Sequence, residues 1–425
     1  MTTNFKDHLG RPVVVVTGMG VVTSLGRGKK QNWDALTAGI SGIHRISRFP
    51  TDGLNTSIAG TVDFMEPEEV SAPGISFAMA DSTAGEALDE AGYHNGAFPG
   101  PLFFAAPPVE LEWQHRFTLM AEKPEETPGY QRLLCAARTG RHERMHELIQ
   151  LGTIAFRLAE KYGTQGLPIS LSTACASGAT ALQQGVEAIR RGETEAALCV
   201  ASDGSVTAEG LIRFSLLSAL TTQNEKPGKA SKPFSKDRDG FVMSEGSAAL
   251  VLETLEHATR RGARVLGVIK GVGEKADSFH RTRSSPDGKP VITAISLGIE
   301  DAGVSTDEID YINAHGTSTP ENDRMEYNTL KAVFGDRIHR IPISSNKSMI
   351  GHTLTAGGAV EAVFSFLTMS EGVIPPTINY DNPDPDIPLD VVPNVKRAAK
   401  VGTVLSNSFG FGGQNACLVL GAPLG

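Results

Sequence analysis

Short apolar runs, separated by amphipathic segments, recur along the whole chain and give the main structural signal. Several are rich in β-branched residues, which is typical of buried strands. They are Val13 to Val16, Leu102 to Ala106, Ile169 to Ser172, Ala196 to Ala201, Ala248 to Leu252, Val265 to Val272, Tyr311 to Ala314, Ile341 to Ser344, Thr403 to Asn407 and Ala416 to Gly421. Helical patterns cover 177–191, 291–302 and 323–334. This alternation predicts βαβ units, largely parallel sheets and therefore an α/β fold.

The first run leads into Thr17-Gly18-Met19-Gly20, which we interpret as the end of the strand and a packed turn. A dinucleotide-binding G-x-G-x-x-G fingerprint would need a third glycine at position 23, where the sequence has Thr23. The pattern therefore does not predict a dinucleotide site.

The two halves of the sequence share one local pattern, a strand that ends in a turn of small residues and feeds a helix. We place the boundary after residue 260, which gives an N-terminal unit of 1–260 and a C-terminal unit of 261–425. No flexible linker separates them, so they are expected to pack as one body. The segment 107–150 breaks the pattern and is predicted to be a helical insertion or cap.

The amino-acid composition and net charge argue against several classes of protein. The 425 residues are 40% hydrophobic and 20% charged, which predicts a folded chain with a large core. A net charge of −9 argues against general nucleic-acid binding. No apolar run is long enough to cross a membrane, and the N-terminus lacks an apolar signal core. The four cysteines are widely spaced, without a C-x-x-C pair, so we expect a reducing, cytoplasmic compartment and no zinc or other metal site.

Cys175 is the strongest candidate for chemistry from the residues alone. It follows a predicted strand, lies just before a predicted helix, and is flanked by small residues that permit a sharp turn. This is the arrangement of a nucleophile elbow, and the helix dipole is expected to lower the pKa of the thiol. The alternative is a buried structural cysteine, the usual fate of a lone cysteine.

Further polar residues follow strands in the second half. His315, Lys347 and His352 lie after predicted strands, where catalytic groups collect in α/β folds. Two neutral histidines could each donate an N–H to one enolate oxygen, and a donor of this kind contributes roughly 3 kcal/mol to transition-state binding. The loop 406–413 combines two phenylalanines with three glycines, so its backbone amides could approach a ligand.

Together these segments resemble the β-ketoacyl-acyl-carrier-protein synthases, the elongating condensing enzymes. The motifs that carry the resemblance are Ser172-Thr-Ala-Cys175-Ala-Ser-Gly178, Asn313-Ala-His315-Gly-Thr-Ser-Thr-Pro320, Asn346-Lys347-Ser-Met-Ile-Gly-His352 and Asn407-Ser-Phe-Gly-Phe-Gly-Gly413, with Asp237-Arg-Asp-Gly-Phe-Val-Met-Ser-Glu-Gly246 in register. The resemblance implies a thiolase-like five-layered αβαβα fold with two pseudo-duplicated halves. It also implies fatty-acid chain elongation by decarboxylative Claisen condensation of an acyl-cysteine thioester with malonyl-acyl carrier protein.

The resemblance assigns a role to each matching residue. Cys175 corresponds to the acylated nucleophile, and His315 and His352 to the pair that supports malonyl decarboxylation. Lys347 corresponds to a lysine that orders the site, with Glu361 as its carboxylate partner. Phe411 corresponds to the gating residue whose amide, with that of Cys175, forms the oxyanion hole. The expected substrate-binding residues are Thr317, Thr319, Phe409 and Gly412.

The resemblance further implies a homodimer that works with acyl- and malonyl-loaded acyl carrier protein, without a cofactor of its own, because the phosphopantetheine arm belongs to the carrier. Two rival hypotheses are a polyketide-type or specialised-lipid ketosynthase with a dedicated carrier, and a chain-length partner subunit. Cys175 speaks against the latter, since such a subunit needs no nucleophile.

Two features depart from the family pattern. Glu321 places a charge where relatives carry a small or apolar residue, and the segment 107–150 matches relatives poorly. Within that segment, Arg138, Arg141 and Arg144 could dock an acidic carrier protein. The alternative is a solvated helix face on which Glu143 and Glu147 neutralise them.

Overall fold

The chain was analysed as a computed structural model that describes residues 5–94, 96–107, 109–123 and 127–423. The strands are β1 (Val14–Thr23), β2 (Gly26–Arg27), β3 (His44–Arg45), β4 (Ile58–Ala59), β5 (Leu102–Ala105), β6 (Ile169–Leu171), β7 (Ala196–Asp203), β8 (Gly246–Thr254), β9 (Gly267–Ala276), β10 (Tyr311–Asn313), β11 (Ile343–Ser344), β12 (Val373–Ile374), β13 (Arg397–Ala398), β14 (Thr403–Phe409) and β15 (Gln414–Gly421). The α-helices are α1 (Gly28–Thr37), α2 (Ala72–Ala91), α3 (Trp113–Met120), α4 (Gly129–Ala137), α5 (Glu143–Leu148), α6 (Thr153–Tyr162), α7 (Ser177–Arg190), α8 (Ala208–Leu216), α9 (Leu255–Arg260), α10 (Lys289–Ala302), α11 (Pro320–Phe334), α12 (Lys347–Ile350) and α13 (Gly357–Glu371). Every strand and helix predicted from the sequence is present, although several bounds differ by a few residues.

Ten strands form one path in the order β11-β10-β14-β15-β9-β1-β8-β7-β5-β6, and β2 pairs with β1 to complete an eleven-stranded sheet. The path contains the same five-strand unit twice. In β6-β5-β7-β8-β1 the first three strands are parallel and the last two antiparallel, and β11-β10-β14-β15-β9 repeats this pattern. The two units meet where β1 pairs with β9, through Val15 with Val268 and Val16 with Gly267.

Helices cover both units in the same way, which gives the five layers expected from the resemblance. Helix α2 packs on β1, β8 and β7, while α10 packs on β9 and β15 at the equivalent position. Helices α7 and α13 contact each other and the strands of both units, so they form the central layer. The fold is therefore thiolase-like αβαβα with two pseudo-duplicated halves. The exact division at residue 260 stays a prediction.

The central helices approach each other at glycine. A Cβ on Gly178 would lie 2.6 Å from the amide nitrogen of Ala359, and a Cβ on Gly358 would lie 2.6 Å from that of Ala179. Real Cβ atoms do not come this close to backbone, so neither position accepts a side chain without moving a helix. This crossing sets the distance between the turns at the two helix N-termini.

The turn predicted at Thr17-Gly18-Met19-Gly20 is wrong, because β1 continues through these residues to Thr23. The glycines serve helix packing instead. A Cβ on Gly18 would lie 1.9 Å from the carbonyl oxygen of Ala87 in α2, and one on Gly20 would lie 2.1 Å from that of Thr83. Glycine therefore lets a strand and a helix pack with their backbones almost in contact.

The segment 107–150 contains the three short helices α3, α4 and α5, joined by turns and loops, among its described residues. The acidic partners expected for its arginines are wrong. Arg141 pairs with Glu122, and Arg144 lies 3.9 Å from Glu68, so the partners are not Glu143 and Glu147. Docking of an acidic carrier protein on Arg138, Arg141 and Arg144 stays a prediction. None of the helices that the structure describes is long and apolar enough to cross a membrane.

Candidate active site

Cys175 occupies a sharp turn between β6 and α7, as predicted. Ala174, directly before it, has a φ of 49°, which non-glycine residues adopt only when the surroundings enforce it. The Ser177 hydroxyl holds the turn by donating to the Ala174 carbonyl at 2.6 Å and accepting from the Thr173 amide at 2.7 Å. The turn therefore presents the thiol at a fixed position at the start of α7.

The predicted lowering of the thiol pKa is wrong. Burial raises the pKa of the Cys175 thiol to about 11, and this exceeds the opposing effects of a hydrogen bond from the Phe411 amide and of the Lys347 charge. Desolvation of the thiolate therefore outweighs the interactions that stabilise it. The Phe411 amide and the amide of Cys175 itself nevertheless both point at the sulfur. These are the two N–H groups expected to form an oxyanion hole.

His315 and His352 lie side by side, although they come from different loops. His315 follows β10 and His352 follows α12, and their ring centroids are 5.4 Å apart at an interplanar angle of 85°. Burial lowers the pKa of each histidine well below 6.5, the Lys347 charge lowers both further, and His352 also lowers that of His315. Both imidazoles are therefore neutral at physiological pH, and each can donate one N–H.

Phe409 and Phe241 complete the wall around the histidines. The Phe409 ring is 5.5 Å from that of His315, and the Phe241 ring is 5.3 Å from that of His352. Phe409 is itself buried. These contacts fix the orientation of both imidazoles by packing, since neither Nδ1 atom has a hydrogen-bond partner among the described residues.

Glu326 holds the loop that carries His315 in place. This residue was not identified from the sequence as part of the site. Its carboxylate accepts the amide of His315 at 2.9 Å, the amide of Gly316 at 2.8 Å and the side-chain amide of Asn407 at 3.2 Å. Burial raises the pKa of Glu326 to about 7, partly offset by these donors. Its position eleven residues after His315, at the buried face of the helix that follows the histidine loop, was the only signal available.

Lys347 and Glu361 form a buried ion pair, as expected from the resemblance. Lys347 Nζ contacts Glu361 Oε1, and both side chains are almost fully buried. Burial raises the pKa of Glu361 to about 7 despite the nearby ammonium group. Neither residue lines the cavity that contains Cys175. Their influence on the site is electrostatic, through the Lys347 charge that acts on Cys175, His315 and His352.

The loop that carries Phe411 is tied to the loop that follows β9. The Gly412 amide donates to the Arg281 carbonyl at 2.7 Å, and the Asp277 amide donates to the Gly413 carbonyl at 2.7 Å. Gly413 has a φ of 85°, and a Cβ there would lie 1.8 Å from the Asp277 carbonyl oxygen. Glycine is therefore required where these two loops meet.

One cavity of about 300 Å³ connects these groups to the surface. Its buried end contains Cys175, His315 and His352, and Phe409, Phe411 and Gly412 line it as well. Thr317, which is buried, and Thr319, which is half-buried, line the same cavity and share a hydrogen bond of 2.9 Å between their hydroxyls. The exposed residues Arg283, Pro320 and Glu321 form the mouth. The structure thus brings together every predicted site residue, with Lys347 and Glu361 just behind the cavity wall.

Across the described residues, no group of three or more His, Cys, Asp or Glu side chains is arranged to hold a metal ion. The cavity instead combines a thiol, two neutral imidazoles and two backbone amides. This set can accept an acyl group on sulfur and stabilise negative charge that develops on oxygen.

Comparison with known proteins agrees with this chemistry. Residues 11–258 match the model of the β-ketoacyl synthase N-terminal domain, and residues 266–381 match that of the C-terminal domain. The chain therefore belongs to the β-ketoacyl synthase family.

Two curated relatives illustrate the range of the family. A 3-oxoacyl-[acyl-carrier-protein] synthase 2 of Coxiella burnetii is 36% identical over 423 residues, which cover 96% of this chain and 98% of the relative. The ketoacyl synthase alpha subunit of the tetracenomycin polyketide synthase of Streptomyces glaucescens is 36% identical over 420 residues, which cover 96% and 97%.

Solved structures give the same picture of the fold. A β-ketoacyl synthase from Burkholderia phymatum superposes with a TM-score of 0.85 at 31% identity, covering 97% of this chain and 100% of that one. A type II polyketide ketosynthase, solved in complex with its acyl-carrier protein and bound to a hexaketide, gives a TM-score of 0.87 at 31% identity with the same coverage.

Proposed function

We propose that this chain is a 3-oxoacyl-[acyl-carrier-protein] synthase that elongates acyl chains by two carbons. The observation that carries the proposal is the meeting of Cys175, His315 and His352 in one cavity, with the Phe411 amide directed at the sulfur. The curated relatives named 3-oxoacyl-[acyl-carrier-protein] synthase 2 support the same reaction.

In the first half-reaction, Cys175 takes the acyl group from the carrier. A bond forms between the cysteine sulfur and the acyl carbon, the bond between that carbon and the carrier sulfur breaks, and the thiol proton ends on the released carrier. The amides of Cys175 and Phe411 donate to the carbonyl oxygen while it carries negative charge. Because the pKa of the thiol is about 11, the charge of Lys347 matters for forming the thiolate.

In the second half-reaction, malonyl-carrier protein binds and loses carbon dioxide. The electron pair of the broken carbon–carbon bond moves into an enolate, whose oxygen accepts N–H donors from neutral His315 and His352. The enolate carbon then attacks the acyl-Cys175 carbonyl, and the cysteine sulfur leaves and regains a proton. The product is a β-ketoacyl-carrier protein two carbons longer, and no resident cofactor takes part.

We infer acyl carrier protein as the partner, because the substrates travel on it and because one structural neighbour is a ketosynthase bound to its acyl-carrier protein. A homodimer is supported by the open edge of the sheet. Strand β6 pairs only with β5 in the described structure, and Leu167 and Ile169 at this edge are 80% and 47% exposed. A second copy would cover them. All four cysteines are free, in keeping with a reducing, cytoplasmic compartment.

A polyketide-type ketosynthase is the second candidate, favoured by the 36% identity with the tetracenomycin alpha subunit. Relatives named 3-oxoacyl-[acyl-carrier-protein] synthase 2, from Coxiella burnetii and three other bacteria, support elongation in fatty-acid synthesis. A chain-length partner subunit is disfavoured by the presence of Cys175 in a complete site.

Intact mass spectrometry after incubation with a series of acyl-carrier proteins tests the proposal. We expect a gain equal to one acyl group, absent in Cys175→Ala, and release of a β-ketoacyl product once malonyl-carrier protein is added. The Cys199→Ala variant is a matched control, because Cys199 is buried in β7 away from the cavity. The proposal is wrong if no donor acylates the protein, or if Cys175→Ala is acylated as well as the native chain.

A further inference from the structure

Two charged residues at the mouth of the cavity have no role in the reaction as derived above. Arg283 lies on the loop between β9 and α10, and Glu321 is the second residue of α11. Both line the cavity that holds Cys175, and both also line an adjoining groove of about 620 Å³. Within the described part of the chain, neither makes an ion pair or a side-chain hydrogen bond.

We propose that Arg283 binds the phosphate of the phosphopantetheine arm at the cavity mouth, and that Glu321 is a counter-charge that limits the strength of this binding. The proposal rests on the proposed function, since it concerns the arm that carries the substrate. Glu321 is the charged residue at the mouth that departs from the family pattern, and the proposal gives it a role in specificity.

The cavity runs from buried histidines to the exposed Arg283, and this range of exposure matches the chemistry of the arm. The thioester must lie at the buried end, beside Cys175 and the histidines. Thr317 and Thr319 line the same cavity, and their hydroxyls can exchange hydrogen bonds with amide groups of the arm. The guanidinium of Arg283 is outermost, where the arm ends in its phosphate. Arginine suits this ligand because its planar set of N–H donors fits phosphate oxygens.

The malonyl carboxylate is the other anionic group of the substrates, and it must bind away from Arg283. The malonyl carboxylate is lost as carbon dioxide, so it must lie beside the groups that stabilise the enolate. Those groups are His315 and His352 at the buried end, whereas Arg283 is exposed at the mouth. A malonyl group therefore cannot reach Arg283 while it reacts.

The loop that presents Arg283 is held by its own hydrogen bonds. The Asp277 carboxylate accepts the Phe279 amide at 2.9 Å, and the amide and hydroxyl of Ser285 at 2.7 Å each. Thr282 and Ser284, on either side of Arg283, line the same cavity and add hydroxyl donors. A phosphate at this position would meet one cation and several neutral donors on one anchored loop.

Glu321 opposes phosphate binding from the facing helix. Burial raises the pKa of its carboxyl group and the charge of Arg283 lowers it, which shows that the two groups act on each other. A carboxylate repels a phosphate and competes for the guanidinium. Since two loaded arms must enter and leave in every ping-pong cycle, this repulsion would favour release over tight binding.

The test uses free thioesters, without the carrier protein. Acyl-phosphopantetheine and acyl-pantetheine differ only in the phosphate, and acylation of Cys175 by each gives a ratio of kcat/KM values. We expect native protein to prefer the phosphorylated donor, Arg283→Gln to lower this preference by about tenfold, and Glu321→Gln to raise it by a few-fold. Arg324→Gln is the matched control, because Arg324 lines the groove but not the cavity and lies 3.8 Å from Asp386.

Several outcomes overturn the proposal. One is a native protein that does not distinguish the two donors. Another is an Arg324→Gln effect as large as that of Arg283→Gln, which would mean general surface charge. A third is an Arg283→Gln effect that appears only when acyl-carrier protein is used as an additional donor, which would mean that Arg283 contacts the carrier protein and not the phosphate of the arm. Failure of Cys175 to accept acyl groups from any donor would contradict the proposed function itself, and is distinguishable from a lost phosphate preference.

Discussion

Four buried titratable residues around the site have opposite effects on the pH dependence of stability. His315 and His352 have a pKa below 6.5 in the folded protein, so they bind fewer protons there than in the unfolded chain, and stability falls as pH drops below 6.5. Glu326 and Glu361 have a pKa raised to about 7, so the folded protein binds more protons, and stability falls as pH rises toward 7. Between pH 4.5 and 6.5 the two effects therefore oppose each other.

Replacing the two histidines should therefore leave the pH dependence of stability that Glu326 and Glu361 confer. In the variant His315→Gln/His352→Gln, we expect the free energy of unfolding to fall, relative to native protein, by about 1.4 kcal/mol per pH unit for each histidine as pH rises toward 6.5. Urea denaturation at a series of pH values measures this slope. Parallel curves for variant and native protein would show that the histidines do not titrate as described.

Glu326 acts through the position of His315 and not by contact with substrate. In Glu326→Gln, the new amide group would face one of the two backbone N–H groups that the carboxylate now accepts, so the His315 loop must shift. We expect malonyl decarboxylation to slow by about ten- to a hundredfold. Acylation of Cys175 should change little, because that step does not use His315. Equal losses in both half-reactions would indicate general damage to the fold.

The sequence predicted the residues of the site better than their electrostatic states. The motifs placed Cys175, His315, Lys347 and His352 at strand ends, and the sheet topology then brings those ends together. The pKa of Cys175 was predicted in the wrong direction, because desolvation depends on side chains that are distant in sequence, such as Leu354 and Met243 in the cluster that Cys175 packs against. Glu326 was missed for the same reason, since only the fold shows what its carboxylate faces.

Among the elements, the crossing of α7 and α13 sets the spacing between the two sets of reacting groups. In Gly178→Ala, the added methyl group would press on the Ala359 backbone, and we expect the free energy of unfolding to fall by about 1–3 kcal/mol. Gly357→Ala is the control on the same crossing, because its Cβ would meet nothing closer than Thr353 Oγ1 at 3.8 Å. Urea denaturation compares the two variants, and equal stabilities would contradict this role of the close contact.

The strands and helices were largely predictable from the sequence, whereas the packing role of the glycines in β1 was not. Apolar runs and helical periodicity gave the predicted strands and helices, because both patterns depend on neighbours along the chain. The local sequence predicts a turn at Gly18 and Gly20, although both lie within β1 against α2. Only the packing of a distant helix separates these two interpretations.

At the scale of the whole molecule, the open edge at β6 is the expected site of self-association. Replacing Ile169 with lysine places a charge on this edge, and we expect Ile169→Lys to be monomeric in light scattering at micromolar concentration while the native chain is dimeric. Val395→Lys is the control, because Val395 is 72% exposed but lies far from β6 in sequence and outside the sheet. A native monomer, or a dimeric Ile169→Lys, would contradict the homodimer.

The duplicated architecture has a consequence for how activity is acquired during folding. Cys175 belongs to one five-strand unit, while His315 and His352 belong to the other, so the reacting groups are separated by well over a hundred residues of chain. Contacts between such distant positions carry a high loop-closure cost and form slowly. Each unit can gain its helices and strands before the thiol meets either imidazole. Recovery of condensing activity after refolding should therefore lag behind recovery of the circular dichroism signal, so that catalysis reports the last step of assembly.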